Sequence, residues 1–159
     1  MSYAEKLQQA EQEYNIGKGE GKFKFQDGDN RIRIMSESPA LQSDFKGVKR
    51  VKFVTWVWDY SKNALKLAFL PYSIAKAIAQ FEQDPEYKFD SIPMPYDLII
   101  KVKNAGTMEV EYTVLPARSE SPVPTEATEA LAKEKTIDEV RRAIIDSQTN
   151  TASSEEIPL

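Results

Sequence analysis

Apolar and polar residues alternate with a period of two from Lys22 onward. Phe23 and Phe25 stand between Lys22 and Lys24, Asp27-Gly28 marks a turn, and Ile32 and Ile34 then alternate with Arg31 and Arg33. This is the pattern of strands with one apolar face. Val51 to Tyr60 continues it as a long strand, with Val51, Phe53, Thr55 and Val57 on one face and Lys52, Val54, Trp56, Trp58 and Tyr60 on the other. A turn at Ser61 to Asn63 leads to a third strand through Leu65, Leu67 and Phe69. The period then changes: after Pro71, with Ser73 as the expected N-cap, Ile74, Ala77, Ile78 and Phe81 fall on one helical face until Asp84-Pro85. Strands return at Tyr96 to Val102 and Val110 to Val114, joined by the turn Asn104-Ala105-Gly106.

Strand, strand, strand, helix, strand, strand is the order of a mainly β chain folded as a five-stranded OB-fold barrel, with one helix between strands 3 and 4. An SH3-like barrel or an irregular α+β sandwich uses the same elements, and the helix position favours the OB arrangement. Ahead of the barrel, Tyr3, Leu7, Ala10 and Tyr14 recur at helical spacing until Gly17, Gly19 and Gly21. Those glycines make a turn and not a phosphate loop, because no strand precedes them and no Lys-Ser/Thr pair opens a helix after them. Beyond Pro116 the chain turns to Ser, Glu, Pro, Thr and Ala. Thr136 with Glu139 signals a capping box for a short helix carrying Ile137, Val140 and Ile144, which needs a surface to pack on. Ser147 to Leu159 reads as disordered. The expected organisation is a helix and glycine-rich turn over residues 1–21, the nucleic-acid-binding barrel over 22–118 and an acidic tail with a short helix over 119–159.

Composition narrows the chemistry. The 159 residues include no Cys and no His, which excludes a His/Cys zinc site, a Cys nucleophile, a Ser-His-Asp triad and disulfides. No apolar run reaches the roughly 20 residues of a membrane span, and no basic-then-apolar leader opens the chain, so a soluble, cytoplasmic protein is expected. The net charge of -4 is unevenly spread. Residues 1–21 hold 2 basic and 4 acidic side chains, 22–118 hold 15 and 12, and 119–159 hold 4 and 9. A basic body with acidic ends suits a protein that handles polyanions, although a surplus of three is also ordinary scatter.

If the odd positions of the long strand fill the barrel, Trp56, Trp58 and Tyr60 face out beside Lys52 and Arg50. Arg31, Arg33, Lys66, Lys101 and Lys103 add cations on neighbouring strands. Rings that stack on bases and cations that follow phosphates describe a single-stranded nucleic-acid surface. The bland alternatives are that one tryptophan is core and that the lysines are a solvated exterior. Asp27, Asp29, Asp59, Asp90 and Asp97 allow a magnesium-dependent nuclease, but they sit mostly in turns, where Asp is common for local reasons. The expectation is therefore no enzyme, no metal and no cofactor. An adaptor that uses the aromatic face to bind proteins, or to self-associate, is the other reading.

Four strings resemble the OB-fold single-stranded DNA-binding proteins of bacteriophages: DGDNRIRI at Asp27 to Ile34, TWVWDY at Thr55 to Tyr60, KLAFLPYSIAKAI at Lys66 to Ile78, and PYDLIIKVKNAGTMEVEYTVLPA at Pro95 to Ala117. The resemblance implies non-enzymatic coating of exposed single strands in replication, recombination and repair, in a host cytoplasm for a phage-encoded chain, with Trp56 and Trp58 at the binding surface. The end of the chain, Glu155, Glu156, Ile157, Pro158 and Leu159, is similar to the tip of bacterial single-stranded DNA-binding proteins, with Leu in place of the terminal Phe. That likeness implies recruitment of replication or repair proteins through the tip. An inert solubilising tail is the bland alternative.

Overall fold

The computed structural model describes residues 21–45 and 48–156, and for residues 43–45, 48–49 and 148–156 it describes the backbone alone. The helix expected over Tyr3 to Tyr14 lies outside the described residues. Six strands and three helices follow in the order β1 (Gly28–Ile34), β2 (Ala40–Phe45), β3 (Val48–Asp59), β4 (Ala64–Leu70), α1 (Tyr72–Gln83), β5 (Leu98–Lys103), β6 (Glu111–Pro116), α2 (Thr125–Ala132) and α3 (Ile137–Glu156).

The strands form one antiparallel, open sheet, ordered β2-β3-β1-β5-β6, with β4 paired to β3. The twelve residues of β3 organise it, because a strand this long reaches three partners. Its outer half, Val48 to Phe53, pairs with β2; Val57 to Asp59 pairs with β1 along the same edge; and Phe53 to Asp59 pairs with β4 along the other. The expected β character holds, but in place of the expected five-stranded closed barrel the six strands form an open sheet, and the elements differ in two further respects. β2 is a strand that the irregular pattern Ala40–Phe45 does not announce, so α1 follows the fourth strand and not the third. Lys22 to Gln26 is extended chain with one parallel bridge to β4, Lys22 to Leu67, and does not continue as a strand.

Turn chemistry agrees with the sequence. Gly28 and Gly106 have φ of 95° and 79°, and Asn63 and Asn104 stand at φ of 49° and 59°, a region Asn enters more readily than most side chains. The turns at Asp27 and Ala105 are tied together, since Asp27 Oδ1 accepts the Ala105 N–H at 2.8 Å. At α1 the N-cap is Pro71, which contributes no side-chain cap bond, and the expected cap, Ser73, lies inside the first turn. At α3 the capping box closes as predicted: Thr136 Oγ1 accepts the Glu139 N–H at 3.2 Å and Glu139 Oε1 accepts the Thr136 N–H at 3.4 Å.

Both faces of the sheet are covered. On one, Ile32, Ile34, Val57, Leu70, Leu98 and Ile100 pack with Ile74 of α1. On the other, Val54, Trp56, Trp58, Leu65 and Leu67 pack under Ala127 of α2 and Ile137, Val140, Ala143 and Ile144 of α3. The segment beyond Arg118, expected as a tail, is the second layer of the core. Its helix runs twenty residues, and Ser147–Glu156, expected as disordered, continues α3. No described helix is long and apolar enough to cross a membrane.

Candidate nucleic-acid interface

Alternation along the strands places Arg31, Arg33, Arg50, Lys52, Trp56, Trp58, Tyr60, Lys101 and Lys103 on one sheet face, as the pairing of Arg33 with Trp58 shows, whereas Lys66 pairs with Val57 and lies on the other. The covering layer then removes both tryptophans from solvent. Trp56 is 1% exposed and Trp58 3% exposed, and the indole N–H of Trp56 donates to the Lys135 carbonyl at 3.0 Å. The expectation of outward tryptophans is therefore corrected. A sheet face rich in large rings is costly to leave in water, and the apolar side of α3, unsatisfied as a lone helix, covers it.

Arg33 is wholly buried and belongs to a charge cluster. Its Nε donates to Asp97 Oδ1 at 2.6 Å, its Nη1 to the carbonyls of Met94 and Ser121 at 3.0 and 3.1 Å, and its Nη2 to Ser121 Oγ at 2.5 Å. Arg31 grips the other carboxylate oxygen through Nε and Nη2 at 3.0 and 2.8 Å, and the Tyr60 hydroxyl donates to Oδ1 at 2.6 Å. Burial pushes the Asp97 carboxyl up, but the bonds from Tyr60, Arg33 and Arg31 outweigh it and hold the group below its ordinary value. Arg33 is thus a structural cation, removed from the candidate DNA contacts because no phosphate reaches it.

Tyr60 answers to the same cluster. Burial, then the bond to Asp97, pushes its phenol up to about 12 from an ordinary 10.0. A raised folded value makes this contribution to stability complete below pH ~10 and lost as pH rises through about 12. Ultraviolet difference titration of the protein against Tyr60→Phe is expected to lose one tyrosinate step near pH 12. Loss of a step near pH 10 would show that the phenol is not held by Asp97.

Cations that remain accessible gather elsewhere, at one end of the sheet. Lys22, Lys24, Arg31, Lys62 and Lys66 line a groove of about 340 Å³ between the extended segment before β1 and the β3–β4 turn, against only Asp29 and Asp59. Asp59 lies 3.6 Å from Lys66 and also accepts the Ser61 hydroxyl at 2.7 Å. Lys22 sits over the Phe69 ring at 4.8 Å and half-exposed Arg31 over Tyr60 at 5.8 Å. Exposed Lys101 and Lys103 continue from the groove across the open face of β5, with Lys101 opposite Asp29 of β1.

The predicted cations therefore divide. Arg31 and Lys66 enter the groove, Lys101 and Lys103 flank it, and Arg50 and Lys52 lie on the outer half of β3. Burial first, then the charges of Arg50 and Lys22, lower the Lys52 ammonium below its ordinary value. Lys22, Lys24 and Lys62 belong to the groove and were missed as site residues, although the alternation of Lys22 and Lys24 with Phe23 and Phe25 carried the signal. Glu155 and Glu156 fall at the end of α3, and Ile157, Pro158 and Leu159 lie outside the described residues. Among the described residues no three acidic side chains converge as a metal site. No family model, curated protein or solved structure matches the chain.

Proposed function

We propose that the protein is a non-enzymatic, sequence-tolerant single-stranded DNA-binding protein of OB-fold type, similar to those of bacteriophages, that coats exposed strands in the cytoplasm during replication, recombination and repair. The observation that supports this reading best is the groove in which five basic side chains face two acidic ones. Like charges held together at a surface are costly unless an anion joins them, and a phosphodiester strand supplies one at each nucleotide. Phe69 and Tyr60, each partly exposed beneath a cation, take the role first read onto Trp56 and Trp58 as ring surfaces for bases. The tip from Glu155 to Leu159 is the proposed contact for replication and repair proteins.

Anisotropy of labelled oligo-dT, titrated with the protein at several salt concentrations, tests the groove. The combined change Lys22→Glu, Lys24→Glu, Lys62→Glu is expected to weaken binding by roughly 100-fold or more at low salt. Three lost phosphate contacts also flatten the dependence of log affinity on log salt by about 2, at ~0.7 per contact for single strands. Equal affinity of wild type and variant, or binding indifferent to salt, would overturn the assignment.

A further inference from the structure

The two acids of the basic groove are held differently. Asp59 is satisfied, since it lies against Lys66 and accepts both the N–H and the hydroxyl of Ser61. Asp29 is not. It is exposed on the groove wall, and among the described residues its carboxylate accepts no hydrogen bond and forms no ion pair, although Lys101 stands opposite it on β5. A lone carboxylate among cations weakens the hold on any polyanion unless it receives donors that the strand itself brings. Phosphates bring none. Within a DNA strand, those donors are the N–H groups of the bases.

Two residues along β1, on the same strand face and roughly 7 Å away, stands Arg31. Its five N–H groups are only partly used. Nε–H and one N–H of Nη2 go to Asp97, and the Tyr60 ring lies beneath at 5.8 Å. The other edge, formed by the second Nη2 N–H and the parallel one on Nη1, has no partner among the described residues, and the side chain is 51% exposed in the groove. Arg33 and Tyr60 fix Asp97 in turn, so this fork is in place before a ligand arrives. A fixed fork matches two adjacent acceptors, whereas the lysines beside it are single flexible charges suited to phosphates.

We propose that Arg31 and Asp29 read guanine at one position of the bound strand. The inference rests on the DNA-binding reading and adds one preferred nucleotide to contacts that are otherwise sequence-tolerant. Guanine presents adjacent acceptors, O6 and N7, to a guanidinium fork, and on its adjoining edge two donors, N1–H and N2–H, to a carboxylate. Adenine turns its N6 amino group toward the fork, and thymine has no adjacent pair of acceptors. Cytosine meets the fork with N3 and O2 but has only its N4 amino group left for the carboxylate.

Anisotropy at one low salt concentration, with labelled oligo-dT in which a single central thymine is replaced, reads the preference. One dG is expected to raise the affinity of wild type at least about fivefold over the all-thymine strand, the lower end of what a bidentate base contact discriminates. A dA or dC at the same place should raise it less than about twofold. Two analogues assign the edges without altering the protein: 7-deazaguanine lacks the N7 acceptor, hypoxanthine lacks the N2 amino group, and each is expected to lose most of the gain. Arg31→Lys keeps the charge and loses the fork, and Asp29→Asn loses an acceptor. In each variant the ratio of dG to all-thymine affinity should fall below about twofold. An equal gain from dA or dC, analogues as good as guanine, or an unchanged ratio in either variant would overturn the proposal. Salt-dependent binding of oligo-dT with no gain from dG would overturn it while leaving the groove assignment standing, and absence of binding to every strand would overturn both.

Discussion

Asp97→Asn is expected to cost about 3–5 kcal/mol of folding stability, the usual consequence of leaving a buried ion pair with one partner. The variant keeps the shape of the side chain, but its amide presents N–H groups where Arg31, Arg33 and Tyr60 all donate. Arg33 is wholly buried, so water cannot take over the lost interaction. In a chain of this length that loss corresponds to a fall in Tm of roughly 6–20 °C. The pH dependence follows from a carboxyl held below its ordinary value: its contribution is complete above the unfolded value of about 4 and fades as pH falls through the folded one. Urea unfolding at pH 7, 4, 3 and 2 should therefore show the gap between wild type and Asp97→Asn closing only in the acid range. A gap under 1 kcal/mol at pH 7, or one that does not change with pH, would show that the cluster contributes little.

That cluster marks where sequence reasoning stopped. Period-two alternation correctly put Arg31 and Arg33 on the face opposite Ile32 and Ile34, but alternation says only that two faces differ. It does not say which of them meets water. Within one strand, Arg31 remains half exposed and Arg33 does not, because Ser121, 88 residues away, closes over the second and not the first. Nothing within a strand's own span encodes such a long-range contact. The turns were legible because their signals are local: Asp27-Gly28, Asn63 and Asn104 each have a backbone conformation that their own side chains favour. β2 was illegible for the reverse reason. Its sequence ALQSDF has Ser43 between Leu41 and Phe45, too short and broken an alternation to announce a strand, and its strand geometry comes from pairing with β3.

The candidate site was legible in part. Of the basic residues expected on β1, β4 and β5, Arg31 and Lys66 line the groove, while Arg33 is buried in the ion cluster. Lys62 carries no periodic signal because it stands in a turn, and Lys22 and Lys24 read in sequence as the polar face of a strand. The sequence did contain the correction for the tryptophans. A helix with Ile137, Val140 and Ile144 on one side needs a surface, and a strand with Trp56 and Trp58 on its outer side needs a cover. Each was noticed alone, and their joining accounts for the second core.

Trp56→Ala should measure that joining. The ring is 1% exposed between β4 and the helical layer, and truncating a buried tryptophan to alanine costs about 3–5 kcal/mol through lost burial and the cavity left behind. If the ring were a surface for bases, the same change would leave stability nearly untouched and weaken DNA binding instead. Trp56→Phe separates the two parts of the loss. It keeps most of the apolar area but removes the N–H that satisfies the Lys135 carbonyl, so it is expected to cost less than the alanine change while still destabilising by about 1 kcal/mol or more. Chemical denaturation of the three proteins, with oligo-dT affinity measured below the unfolding transition, gives both readouts. Stability that falls in the order wild type, Phe, Ala, with affinity of the folded protein changed less than about threefold, places the ring in the core. Wild-type stability in Trp56→Ala, with DNA affinity lost, would return the tryptophan face to solvent and remove α3 from the fold it covers.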